Sequence, residues 1–326
     1  MSSRTDPSRR RVLAASAGAA LAAAFARFPR AARAADEPLK TRPIPHGGEQ
    51  LPVVGIGTAL VFDFQDDPVK YAKRRHVIQT FVAAGGRLID TAHSYGRAED
   101  RLGDLVAELG VRDKLFLATK FSSNTDRAAA AASLQASLRR LKTNRVDLMQ
   151  AWNVGDANYD FGLLREWKQQ GLCRYTGMTT SSVRQYAAIA LVLVREKPDF
   201  FQVNYSLGDR EAENVLLPAA RDSGAAVLIN LPFGRNSLFR KAGGRPLPDL
   251  AAEFGARTWA QFFLKFILSH PAVTAVIPGT DKPEYMLDNL QAGRGPRAAA
   301  GRCDSQADGS ILGSAGIEAV QGPFSR

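Results

Sequence analysis

Short apolar runs alternate with longer stretches of mixed character along most of this chain. Runs at 53–58, 87–90, 115–119, 147–151, 174–179, 200–204, 226–230 and 274–278 are too short for core helices and read as strands. The stretches between them carry helical periodicity. One covers 68–84, and another covers 126–141, where Leu134, Leu138 and Leu141 recur at helical spacing in an Ala-rich background. Strand and helix alternating eight times predicts a single-domain α/β chain, a closed (β/α)8 TIM barrel. Ahead of it, TRPIPHGGEQLP over 41–52 reads as a short hairpin with His46, Gly47, Gly48 and Glu49 at its turn. After the seventh strand, 232–248 is a long loop that could cover the barrel mouth.

One competing reading falls early. Gly55-Ile56-Gly57 opens like a dinucleotide-binding turn, but Leu60 stands where the third glycine belongs and Asp63 interrupts the expected helix. The first run is therefore a barrel strand.

The two ends differ from the middle. Within 1–34, Arg9 and Arg10 precede an Ala-rich, mildly apolar run reaching Ala26, and Ala32-Arg33-Ala34 forms a small-residue cleavage site. This is the pattern of a twin-arginine signal peptide. It predicts a mature chain from Ala35, export by the twin-arginine machinery and a periplasmic or otherwise exported location. Barrel character then covers 35–292. From 293 to 326 the chain holds seven Gly and no amphipathic period, an atypical tail expected to be disordered, as a changed reading frame would give.

Composition excludes other classes. The net charge of +11 suggests nucleic acid until the leader is set apart with its seven Arg and one Asp. The remaining 36 basic and 31 acidic residues leave +5, with no basic run interleaved with aromatics, so nucleic-acid binding is not expected. No apolar run is long enough for a stable membrane anchor. Cys173 and Cys303 form no metal motif, and His46, His76, His93 and His270 are scattered, so no metal site is expected.

Chemistry gathers where strands end. Asp90, Lys120 and Trp152 each close an apolar run, at intervals of about one strand-plus-helix unit, which puts all three at one edge of the sheet. Tyr95 follows on the loop after Asp90. A phenol is a poor acid near neutrality, but a lysine ammonium beside it stabilises phenolate, and an aspartate can hold that lysine charged. The three make a general acid for an oxygen that gains negative charge, such as a carbonyl receiving hydride.

The motifs LIDTAHSYGRAED, LATK, VDLMQ, GLCRYTGMTT, FFQVNYS and AVIPGTDKPEYMLDNL, in this order, resemble the aldo-keto reductase family over residues 40–293. The resemblance implies an NAD(P)H-dependent reduction of small aldehydes or ketones, with Asp90, Tyr95 and Lys120 as three of four catalytic residues. The fourth is normally a histidine that orients the carbonyl, and here it is Trp152. The resemblance assigns Thr179, Thr180 and Gln202 to the nicotinamide carboxamide. It assigns Gly279, Thr280, Lys282 and Asn289 to the adenosine phosphate end, where a helix start suits an anion. An aromatic that stacks on nicotinamide is replaced near Asn230, and an arginine for the 2′-phosphate appears as Tyr285. NADP(H) is favoured over NAD(H). The departure at Trp152 keeps open a nicotinamide-nucleotide-binding sensor or interaction protein with little turnover.

Overall fold

A computed structural model of the protein describes residues 37–296. The expected leader over 1–34 and the expected tail from 297 onward lie outside the described residues.

A hairpin of β1 (Thr41–Pro43) and β2 (Gln50–Pro52) comes first. Eight parallel strands follow in chain order: β3 (Ile56–Gly57), β4 (Leu88–Asp90), β5 (Phe116–Ser122), β6 (Val146–Trp152), β7 (Cys173–Thr180), β8 (Phe200–Asn204), β9 (Ala226–Asn230) and β10 (Val273–Val276). The sheet closes where Val54 bridges Val276. Gly55 N–H donates to Val276 O at 2.8 Å, and Val276 N–H donates to Val53 O at 3.0 Å. Closure removes the unpaired edges an open sheet would leave. The expected (β/α)8 barrel is the observed fold.

The first strand forms a regular ladder over only two of the six residues expected. Its earlier residues turn to β10 across the seam, while Ile56 and Gly57 pair with Ile89 and Asp90. A Cβ on Gly55 would stand 2.7 Å from Leu88 O, and one on Gly57 would stand 2.7 Å from Ile277 O. The Gly-x-Gly pair therefore serves close strand approach rather than a phosphate turn.

Alternation along the strands fills the barrel with Leu88, Phe116, Leu148, Tyr175, Phe200, Leu228 and Ala275, and Ile44 and Leu51 of the hairpin belong to the same cluster. Glu49, just before β2, ties the hairpin to the strand ends. Its carboxylate accepts from Arg87 Nη2 at 3.0 Å, from Tyr175 Oη at 3.0 Å and from Arg174 Nη2 at 2.5 Å. The N-terminal end of the barrel is thus floored, and chemistry is confined to the other end.

The outer layer consists of α1 (Pro68–Ala83), α2 (Ala98–Leu109), α3 (Arg127–Arg140), α4 (Gly162–Gln169), α5 (Tyr186–Glu196), α6 (Leu216–Ser223), the short α7 (Ser237–Ala242) and α8 (Leu250–Glu253), α9 (Trp259–Ser269) and α10 (Pro283–Gln291). Three helix starts are capped by their own sequence. Asp67, Asp126 and Thr258 accept from the backbone N–H of Lys70, Ala129 and Gln261, and each cap is worth about 1 kcal/mol.

The 232–248 segment is more structured than a free loop. It contains α7, and Phe233, Phe239 and Phe263 follow one another with ring centroids 4.9 and 5.6 Å apart. Trp259 Nε1–H donates to Arg245 O at 2.9 Å. Residues 293–296, where the helical pattern fades, are also seated. Lys40 N–H donates to Gly293 O at 2.9 Å, and the buried Lys265 ammonium donates to Arg294 O at 2.6 Å and Pro296 O at 3.1 Å.

Candidate active site

Three adjacent strands build the centre of the site. Asp90 ends β4, Lys120 lies near the end of β5 and Trp152 ends β6. Lys120 is in register with Gln150, and Ser122 with Trp152. Successive residues of a strand face opposite sides, so Lys120, Gln150 and Trp152 share the inward face while Thr119 and Ala151 point outward.

Lys120 Nζ donates to Asp90 Oδ2 at 2.6 Å and to Thr91 O at 2.8 Å. Gln150 Nε2 donates to Asp90 Oδ1 at 3.2 Å, so both carboxylate oxygens are engaged. Asp90 is 3% exposed and Lys120 1%, which makes this a buried ion pair. Burial pulls the lysine toward its neutral form, but the Asp90 carboxylate and the Tyr95 phenol outweigh it and hold the ammonium above the ordinary lysine value. Lys120 Nζ lies 5.2 Å from the centroid of the Tyr95 ring. The charge is therefore held beside the phenol that would give up a proton.

Tyr95 owes its place to its loop. Ala98 N–H donates to Tyr95 O at 2.9 Å, and Asp63 Oδ1 accepts from Arg97 N–H at 3.0 Å. Gly96 adopts φ +54, and a Cβ there would run into Asp63 at 2.3 Å, so glycine is required on both counts. Half-buried Trp152 meets His93 edge-on, with centroids 5.7 Å apart and planes at 79°. No group among the described residues accepts from its indole N–H.

The candidate cofactor residues divide. Thr179 and Gln202 are register partners facing inward, whereas Thr180 faces outward and donates to Gln185 Oε1 at 3.1 Å. The Thr179 hydroxyl accepts from Asn153 N–H at 3.1 Å, which fixes the turn after β6. Gln202 Nε2, in the middle of β8, and Asn204 Oδ1 and Asn230 Oδ1, at the ends of β8 and β9, are buried with no hydrogen-bond partner among the described residues. Orphaned polar atoms of this kind are costly unless a ligand satisfies them.

Next to β9, β10 leads into Gly279 and Thr280 before α10. The Thr280 hydroxyl donates to Lys282 O at 3.3 Å, and Asn289 is buried on the helix. Exposed Lys282 leans over Tyr285, its Nζ 4.7 Å from the ring centroid. Buried Arg74 pins this junction, donating from Nη1 to Asp281 O at 3.0 Å and from Nε to Val61 O at 2.5 Å.

Comparison with known proteins agrees with this geometry, because residues 53–299 match the Aldo/keto reductase family. The chain belongs to that family. It is 26% identical over 258 residues to aldo-keto reductase str7 of Strobilurus tenacellus, covering 68% of this chain and 76% of the relative. It is 30% identical over 172 residues to aldo-keto reductase YhdN of Bacillus subtilis, covering 47% of this chain and 50% of the relative. The barrel superposes with a TM-score of 0.69 on an aldo-keto reductase from Klebsiella pneumoniae in complex with NADPH, at 23% identity, covering 85% of this chain and 97% of the other.

Within this aldo/keto reductase, two residues near the centre escaped sequence reasoning. Gln150 holds the second oxygen of Asp90. Period-two counting back from Trp152 along VDLMQAW would have put it on the inward face. His93 lies between Asp90 and Tyr95 in the LIDTAHSYG motif, but only the path of that loop brings its ring against Trp152.

Proposed function

We propose that the protein reduces small aldehydes or ketones to alcohols, with Tyr95 as the general acid. The observation that carries this reading is the buried Asp90–Lys120 pair beside Tyr95 at the open end of the barrel. A nicotinamide dinucleotide would supply the hydride. Gln202, Asn204 and Asn230 fit such a group, since a carboxamide brings both a donor and an acceptor for their buried, unpartnered atoms. The Thr179 hydroxyl, on the same inward face as Gln202, would assist by shaping that wall, whereas Thr180 faces away from it.

Each residue then has a task. Tyr95 gives its proton to the carbonyl oxygen as negative charge develops there. Lys120 remains an ammonium and stabilises the phenolate left behind. Asp90, held by Gln150, keeps Lys120 charged and in place. Trp152 adds its bulk on the inward face at the end of β6, which favours small carbonyls.

NADP(H) is the proposed cofactor. Gly279, Thr280 and Asn289 would shape the adenosine end, and Lys282 could meet a 2′-phosphate over the first turn of α10. The Trp152 substitution favours a second reading, a nucleotide-binding protein of low turnover. Export through the Arg9–Arg10 signal is likewise proposed. Titrating the chain from Ala35 with NADPH and NADH, while following oxidation against a panel of aldehydes and ketones, tests these points. Binding without oxidation supports the second reading, and failure to bind either nucleotide overturns both.

A further inference from the structure

His93 is an imidazole at the barrel mouth that the reaction as described leaves unused. Its Nδ1 lies 3.0 Å from Lys120 O, a backbone carbonyl that can only accept. Nδ1 must therefore carry a proton and donate it. In the neutral ring the other nitrogen, Nε2, is then a bare acceptor. Burial pushes the imidazole below its ordinary value. The Lys120 carbonyl and Glu99 act against that push, while the Arg140 and Lys120 charges add to it, so the neutral ring prevails at neutral pH.

No group among the described residues bonds Nε2, and the ring stands edge-on against Trp152, whose indole N–H is also unaccepted. One bare acceptor and one free donor thus belong to two rings whose centroids lie 5.7 Å apart, and His93 is two residues from Tyr95 in the chain. A plain alkyl carbonyl can use only the donor. A carbonyl with a hydroxyl on the neighbouring carbon can use both, accepting at its carbonyl oxygen and donating its O–H.

We infer that His93 is a specificity-determining residue, whose Nε2 accepts a hydrogen bond from the hydroxyl of α-hydroxy aldehydes and ketones. This rests on the reductase reading for its catalytic consequence but not for the binding itself. A neutral hydrogen bond made only by the hydroxylated substrate corresponds to roughly tenfold in kcat/KM.

Hydroxyacetone and butanone form a suitable pair, since one carries a hydroxyl where the other carries a methyl. Wild type should favour hydroxyacetone by about tenfold. His93→Phe should erase the preference by lowering kcat/KM on hydroxyacetone alone, and His93→Gln, which keeps an acceptor, should retain part of it. Equal loss on both ketones would mean that the ring only holds the Lys120 strand, and the inference would fail. It would also fail if wild type showed no preference.

A second readout does not need turnover. In wild-type protein labelled with ¹⁵N at histidine, hydroxyacetone should shift the His93 Nε2 resonance and butanone should not. If Nε2 responds to hydroxyacetone while neither ketone is reduced, the inference stands and the reductase reading falls. If both ketones are reduced and Nε2 is unmoved by either, the reductase reading stands and the inference falls.

Discussion

Lys120 and Asp90 meet at 2.6 Å with almost no solvent around either, in the centre of a barrel whose far end is sealed. Removing one member strands the other. Lys120→Met should therefore cost about 3–5 kcal/mol of stability, the range for an orphaned buried charge, as well as nearly all reductase activity. Asp90→Asn, which keeps the shape, should cost less stability while still weakening the hold on Lys120. Chemical denaturation of the three proteins, each followed by kinetics, checks both statements.

The pair also sets a pH response. The folded-state value of Lys120 lies above its ordinary value, so the lysine's contribution to stability is complete below the ordinary value of 10.5 and is lost as pH rises through the folded one. From pH 7 to 10 the stability gap between wild type and Lys120→Met should stay constant, and it should shrink only at higher pH. A gap that closes between pH 7 and 9 would show that Lys120 is not held charged.

Tyr95→Phe deletes the proposed proton donor and keeps the ring against Lys120. Reduction should be abolished, with nicotinamide nucleotide affinity unchanged by fluorescence titration. Near-native turnover would place the acid elsewhere.

Trp152→His should raise kcat on ordinary carbonyls. The imidazole keeps an N–H donor for the carbonyl oxygen, and the smaller ring widens the pocket. Steady-state kinetics on one aldehyde series decides the matter. If the variant is slower throughout at equal nucleotide affinity, the indole is an adapted part of the site and this expectation fails.

Gly57→Ala would press a methyl to within 2.7 Å of Ile277 O across the barrel seam. Overpacking of this sort should cost roughly 1–3 kcal/mol. Urea midpoints should fall with little change in slope, because the barrel still unfolds as one body.

Changing Arg9 and Arg10 together to Lys should leave the precursor in the cytoplasm with its fold intact. Unaltered delivery of processed protein outside the cytoplasm would remove the twin-arginine proposal.

The barrel was legible because buried parallel strands must be short and apolar, and each needs a helix before the next. Asp90, Tyr95 and Lys120 were legible for a related reason, since charged or phenolic groups at strand ends break an apolar rhythm. Less could be read where a contact depends on the path of a loop. The ring contact of His93 with Trp152 and the Thr180–Gln185 bond have no periodic signature. The Gly55–Gly57 pair was seen, but its cause was not, because the atoms that crowd it belong to Leu88 and Ile277, distant in sequence.

A lysine ammonium has three protons to give. On Lys120 one goes to Asp90 Oδ2 and another to the Thr91 carbonyl, which leaves a single one for the phenol. Lys120 is thus saturated, and it has nothing left with which to grip a ligand's own negative charge. A carboxylate inhibitor would have to anchor on Tyr95 Oη and the Trp152 indole instead. Its affinity would then disappear in Tyr95→Phe, while Lys120 went on acting from behind without touching it.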